Sequence, residues 1–230
     1  MPPDAVLFDL DDTLCRYRRS GGALLSVAFE RTGLEPFIAA EEYYGRYPEF
    51  LEASESMRDL RERCFAAIAA EKGRDPAEGR AVARAYAEER DHGNVERLPG
   101  VDTALSACSD LPVGLVTNGG PEMQARKLET TGLANVFDVV VHAGYDTPAK
   151  PNPEPFEAAL SALSARPDRS CFLGNSLRSD VAGANAAGLR SVWLAEGEGA
   201  TPDPFEPDHV ISDLGAFSDV LSSNFSRDPG

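Results

Sequence analysis

The chain is poor in positive charge. Of its 230 residues, 38 are acidic and 22 are basic, and only three of the basic residues are lysines: Lys72, Lys127 and Lys150. A formal net charge of −16 argues against nucleic acid as a partner, because binding a polyanion rests on clustered basic side chains. It argues equally against anionic membrane surfaces. Long apolar runs are also missing, and no stretch approaches the roughly 18 residues that mark a spanning helix. The start, Met1-Pro2-Pro3-Asp4, has neither a basic nor an apolar segment, so no secretory leader is expected. Four scattered cysteines, Cys15, Cys64, Cys108 and Cys171, make no metal-type spacing. They read as free buried thiols in a reducing, cytoplasmic compartment, with a packing role even for Cys15. Excess carboxylates repel at low salt and are screened at high salt, which points to a salt-rich cytoplasm. An ordinary acidic enzyme from a GC-rich genome shares the same preference for Arg, Ala and Gly.

What the chain has is concentrated near its start. A short apolar run, Ala5-Val6-Leu7-Phe8, reads as a buried parallel strand. It runs into Asp9-Leu10-Asp11-Asp12-Thr13, two carboxylates one residue apart followed by a hydroxyl. In open α/β sheets, ligands sit at the carboxyl ends of strands. Two carboxylates held there repel, and ionising both is costly without a cation between them. Oxygen ligands suit magnesium. The plainer alternative is an acidic loop with a helix cap, since Asp and Thr both cap helices.

The rest of the chain has two textures. Residues 16–97 carry no convincing strand and hold helix-like stretches over 22–31, 38–51, 54–71 and 76–90. In the third, Met57, Leu60, Cys64, Ala67, Ile68 and Glu71 recur at three- and four-residue steps. From Pro99 strands and helices alternate. Strands are expected over 113–117, 137–142, 171–174, 191–194 and 209–211, and helices over 121–131, 153–164 and 179–187, with a last helix and a mobile tail over 223–230. Alternation implies a parallel sheet with helices on both faces. The domains expected are a core of 1–15 with 98–222 and an all-helical insert over 16–97.

Later strand ends carry chemistry of their own. After the 113–117 strand stand Thr117-Asn118-Gly119-Gly120 and then a helix start, an arrangement that suits phosphate. Lys150 sits in a proline-stiffened loop after the 137–142 strand. With only three lysines in the chain, its place there is conspicuous. After the 171–174 strand comes Gly174-Asn175-Ser176-Leu177-Arg178-Ser179-Asp180. Asp180 reads either as a first-turn helix residue or as a group that approaches a metal.

Taken in order, these strand ends resemble the haloacid dehalogenase superfamily, in its subfamily with a helical cap inserted after the first strand. The resemblance covers nearly the whole chain and implies a Rossmann-like α/β core. Asp9-Leu10-Asp11-Asp12-Thr13 matches the first family motif, Thr117-Asn118 the second, Lys150-Pro151 the third, and Gly174 to Asp180 the fourth. The resemblance implies that Asp9 is a nucleophile forming an aspartyl-phosphate and that Asp11 is the general acid and base. It implies phosphoryl binding by Thr117 and the Asn118 N–H, and charge neutralisation by Lys150. It further implies Mg2+ held by Asp9, the Asp11 backbone oxygen, Asn175 and Asp180. The fourth motif usually has Asp directly after its glycine; Asn175 stands there and brings no charge. The family's dehalogenases lack a carboxylate two residues after the nucleophile, because halide leaves without a proton, so Asp11 favours phosphatase chemistry.

The reading is a magnesium-dependent phosphatase for a small phosphorylated metabolite, acting as a monomer or homodimer. Arg16 and Arg18, beside Tyr17 and Arg19, are candidates to hold a second anionic group of a substrate, and equally read as ordinary surface residues. A sugar phosphomutase of the same superfamily uses the same constellation, and Asn175 leaves room for a weakly active or non-catalytic phosphate-binding relative. A signalling receiver domain is disfavoured, since it has no Asp-x-Asp on its first strand and no helical insert of ~80 residues, far beyond a usual connection.

Overall fold

The computed structural model describes residues 2–50, 53–195 and 204–225. By its contacts the chain divides into two compact units, 1–16 with 95–230, and 17–94.

The first unit is built on strand β1 (Ala5–Phe8), all four residues of which are buried. After it come β2 (Cys15–Tyr17) and, beyond the second unit, β3 (Val95–Arg97), which form a two-stranded sheet. The second unit holds α1 (Gly21–Thr32), α2 (Ala40–Arg46), α3 (Met57–Glu71) and α4 (Pro76–Glu89). The first unit then continues with α5 (Val101–Ser106), β4 (Val113–Thr117), α6 (Pro121–Thr131), β5 (Val139–His142), α7 (Glu154–Leu163) and β6 (Ser170–Gly174). A wide turn over Leu177–Val181 leads into α8 (Ala182–Ala186), followed by β7 (Arg190–Leu194), β8 (His209–Ile211) and α9 (Phe217–Phe225).

The main sheet has the order β5-β4-β1-β6-β7-β8 and is parallel throughout. β1 lies between β4 and β6, so both its faces are covered, which is why its sequence is apolar without alternation. Val6, Phe8, Leu115 and Leu173 join one core cluster with residues of α5, α6 and α9. Leu7, Val116 and Phe172 join the opposite cluster with α7 and α8, where Phe156 meets Phe172 edge-on at 4.8 Å between ring centroids. The chain leaves β1 for β4 and β5 on one side and returns to β6 on the other. That reversal opens a crevice at the carboxyl end of β1, where α/β sheets bind ligands.

The second unit has its own core, in which Phe65 and Tyr86 meet on facing sides of α3 and α4. Several expected boundaries move here, each for a local reason. The helix expected over 38–51 is α2 followed by a tight turn at Tyr47–Phe50, because Pro48 has no N–H to continue the ladder; residue 51 lies outside the described residues. The helix expected from 54 starts at Met57, since the Ser56 hydroxyl accepts from the Asp59 N–H and sets the cap there. The stretch 16–97 is not free of strand: β2 and β3 are three residues each, too short for periodicity to reveal. The helix expected over 179–187 is the wide turn plus α8. Residues 223–225, expected in the tail, belong to α9, which continues to Phe225; residues 226–230 lie outside the described residues. Among the described residues no helix is long and apolar enough to cross a membrane. All four cysteines are free and buried.

Candidate active site

The chain turns sharply after β1. The Leu10 carbonyl accepts from the N–H groups of Leu14 at 2.9 Å and Cys15 at 3.1 Å, and Asp12 takes a positive φ of 56°. This turn holds Asp9 and Asp11 at the sheet's carboxyl edge with different surroundings. Asp9 is buried. Its Oδ1 accepts from Lys150 Nζ at 2.8 Å and its Oδ2 from the Thr13 hydroxyl at 3.1 Å. The Asp11 side chain is 37% exposed and turns toward α6.

Lys150 is the hub of the buried charges. Its three Nζ protons go to Asp9 Oδ1, to Asp180 Oδ1 at 2.7 Å and to the Val116 carbonyl at 2.8 Å. Burial by itself would lower its pKa, but Asp180 and Asp9 outweigh it and hold the ammonium above the ordinary lysine range. Asp180 is fixed from its own loop, with Oδ2 accepting from the Ser176 N–H at 2.9 Å. Gly174 makes the room for it, because a Cβ there would lie 2.5 Å from Asp180 Oδ2.

The Asn118 side chain has a role of its own, apart from the main-chain N–H expected to meet phosphate. Its side-chain carbonyl accepts from the Lys150 N–H at 2.8 Å, and its amide donates to the Lys150 carbonyl at 3.1 Å. It clasps the backbone of the lysine loop, as a strand pairs, and so aims the lysine. Thr117 is buried, and its Oγ1 accepts from the Gly119 N–H at 3.2 Å. Asn175 Oδ1 lies 3.5 Å from the Thr13 hydroxyl, and its backbone carbonyl accepts from Trp193 Nε1 at 2.9 Å.

Asp9, Asp11, Thr117, Asn118, Lys150, Asn175 and Asp180 thus line one cleft of about 330 Å³, although four different segments supply them. Arg16 does not line it. Its guanidinium pairs with Glu96 at 3.0 Å between β2 and β3. Arg18 belongs to the second unit, where its N–H donates to the Asn94 carbonyl. Two side chains unforeseen from sequence reach the cleft's acid: Gln124 and Lys127 of α6, both buried, bond the Asp11 carboxylate. Nothing local marks them, because a glutamine and a lysine on a helix ordinarily face solvent.

The buried charges do not cancel. Asp11 is matched by Lys127, while Asp9 and Asp180 share the single charge of Lys150. Burial is the largest influence on Asp9; Lys150 pulls against it and Asp180 adds to it, and the Asp9 carboxyl is pushed up to about 7. A buried carboxylate excess lined with oxygen donors fits a hard divalent cation. Among the described residues no three His, Cys, Asp or Glu side chains are grouped to hold a metal. The residues that would hold such an ion are Asp9 and Asp180, with the amide of Asn175 and the main-chain carbonyl of Asp11.

Comparison with known proteins agrees with this architecture. A family model described as haloacid dehalogenase-like hydrolase matches residues 3–188. A phosphoserine phosphatase of Thermus thermophilus is 30% identical over 237 residues, covering 91% of this chain and 95% of the relative. A glyceraldehyde 3-phosphate phosphatase of Methanopyrus kandleri is 30% identical over 213 residues, covering 90% of each. The crystal structure of the HAD-hydrolase YfnB from Bacillus subtilis, bound to magnesium, superposes with a TM-score of 0.74 at 22% identity, covering 96% of this chain and all of that one.

Proposed function

Since the chain belongs to the haloacid dehalogenase-like hydrolase family, we propose that it is a magnesium-dependent phosphatase of a small phosphorylated metabolite, working through an aspartyl-phosphate. The observation that carries the reading is the division of labour between two carboxylates one residue apart. Asp9 is buried against Lys150, and Asp11 stands at the cleft with one face exposed.

In this reading Asp9 attacks phosphorus in line and the leaving alkoxide departs. The ester P–O bond breaks as the Asp9 acyl-phosphate bond forms. Asp11 gives its proton to the alkoxide, then takes one from the water that hydrolyses the acyl-phosphate and restores Asp9. Thr117 donates its hydroxyl proton to a phosphoryl oxygen. Lys150, with its charge fixed in place before reaction, faces the transferring group, where preorganised positive charge contributes most to phosphoryl transfer. Asp9, Asp180, Asn175 and the Asp11 carbonyl would hold Mg2+, which would supply further positive charge to the site.

The two relatives named above are equally identical to this chain and carry different substrate names, so identity does not choose the metabolite. The charge of −16 and the buried free thiols support a reducing, salt-rich cytoplasm. The test is magnesium-dependent release of phosphate from p-nitrophenyl phosphate and from a panel of phosphometabolites, at several salt concentrations. Turnover that survives Asp9→Asn, or that ignores magnesium, would refute the reading.

A further inference from the structure

Two of the three lysines in this chain are buried, one lining the cleft and one behind it, and each meets one carboxylate of the first loop. Lys150 meets Asp9, and Lys127 meets Asp11. Burying a lysine is costly unless it is paired, so the second pair needs a purpose as much as the first. Lys127 and Gln124 lie three residues apart on α6, hence on one face of the helix, and both are fully buried there.

The glutamine amide has two protons and two partners. Nε2 donates to Asp11 Oδ2 at 2.8 Å and to Thr117 Oγ1 at 2.7 Å. Thr117 Oγ1 also accepts from the Gly119 N–H at 3.2 Å. With both lone pairs of the hydroxyl taken, its proton is left to be given away, which is what an incoming phosphoryl oxygen requires. Gln124 keeps this orientation although its Oε1 is buried without a partner. A buried unpaired oxygen calls for a reason. Turning the amide over would set that oxygen against the Asp11 carboxylate and leave Thr117 Oγ1 without its donor. Gly119 serves the same arrangement, because a Cβ there would lie 2.1 Å from Gln124 Nε2.

We infer that Gln124 and Lys127 are positioning residues, which together aim the acid/base carboxylate of Asp11, and that Gln124 also fixes the Thr117 hydroxyl as a donor to phosphate. This rests on the roles given to Asp11 and Thr117 in the phosphatase reading. One amide then ties proton transfer to phosphate binding.

The test compares Gln124→Met and Lys127→Met, both close in volume to the originals, across a series of substituted phenyl phosphates. kcat/KM covers the steps up to departure of the leaving group, where a misplaced acid hurts basic leaving groups most. Lys127→Met should lower kcat/KM about 10- to 100-fold for phenyl phosphate, a fraction of what a general acid contributes. It should lower it less than about threefold for p-nitrophenyl phosphate, whose leaving group needs little protonation, and leave inhibition by inorganic phosphate unchanged. Gln124→Met should show the same leaving-group dependence and also weaken inhibition by inorganic phosphate about five- to tenfold, the worth of one hydrogen bond. Equal losses across the series, or unchanged phosphate inhibition in Gln124→Met, would overturn the inference.

A melting-temperature cycle needs no turnover. Asp11→Asn takes away the carboxylate that the buried Lys127 meets here and should lower the melting temperature. Adding Lys127→Met should restore it. If the single substitution has no cost or the second gives no recovery, the pair is not formed and the inference falls. An inactive wild-type protein would instead refute the phosphatase reading alone, with the pairing still judged by this cycle.

Discussion

Replacing Asp9, the proposed nucleophile, with asparagine should stabilise the metal-free protein while destroying its activity. Asp9 and Asp180 share one buried ammonium, and the Asp9 carboxyl is raised from 3.8 to about 7. A carboxyl whose pKa is higher in the folded state favours folding only while it is protonated. Its contribution is complete below pH 3.8, fades as the pH rises, and is gone above about 7. At about 1.4 kcal/mol per pH unit, the interval corresponds to roughly 4 kcal/mol lost by the folded state between pH 4 and 8. Asparagine carries no charge to bury, and Lys150 keeps Asp180 as its partner. After the weaker hydrogen bond from Lys150 is allowed for, Asp9→Asn should recover about 2 to 4 kcal/mol at pH 8, or roughly 5 to 10 °C of melting temperature for a chain of this size. The assay is thermal unfolding of both proteins in EDTA at constant ionic strength, at pH 5 and at pH 8, repeated at pH 8 with saturating magnesium. The gain should be large at pH 8, much smaller at pH 5, and should shrink when magnesium supplies the missing positive charge to the wild type. A mutant that melts no higher than wild type at pH 8 in EDTA, or a gain equal at both pH values, would refute the electrostatic account of the site.

Turnover by Asp9→Asn should fall at least about a thousandfold, the loss expected when a nucleophile is removed, as read from phosphate release by a protein whose folding the same melts verify. Asp11→Asn should damage phenyl phosphate hydrolysis far more than that of p-nitrophenyl phosphate, because a good leaving group needs little protonation; equal losses would contradict its role as acid. If Asn175 is a magnesium ligand as proposed, Asn175→Asp adds a carboxylate to the metal site and should lower the half-saturating magnesium concentration several-fold, a net gain of about 1 kcal/mol after desolvation offsets most of the attraction. An unaltered magnesium requirement would place Asn175 outside the metal's reach. Molar potassium chloride should raise the melting temperature above its value in dilute buffer, because it screens a net charge of −16; an unchanged or lower value would remove the salt-loving reading and leave the enzymatic one untouched.

The sequence alone determined what short-range chemistry controls. A continuous apolar run announces a strand covered on both faces, and β1 is such a strand. Alternating strands and helices announce a parallel sheet, and the residues just past each strand must then gather at one edge. That is why Asp9, Thr117, Lys150 and Asp180 were legible as one set although 171 positions separate the first from the last. Pro121 at the start of α6 and Gly132 after its end bounded that helix correctly.

Tertiary structure decided which side chains face each other. Gln124 and Lys127 carry no local mark of burial; only the packing of α6 sets them against a carboxylate 113 and 116 residues away. The Asn118 side chain clasps the backbone of the lysine loop, a contact that exists only once β4 and the 143–151 loop lie side by side. Trp193 anchors Asn175 through its indole N–H from the neighbouring strand β7. β2 and β3 are three residues each and are strands only because they pair with each other across more than seventy positions. Local sequence sets backbone propensity and the identity of each reactive group, because those depend on neighbours along the chain. The charge balance around Asp9 and the aim of Asp11 depend on groups that only folding brings within hydrogen-bonding distance.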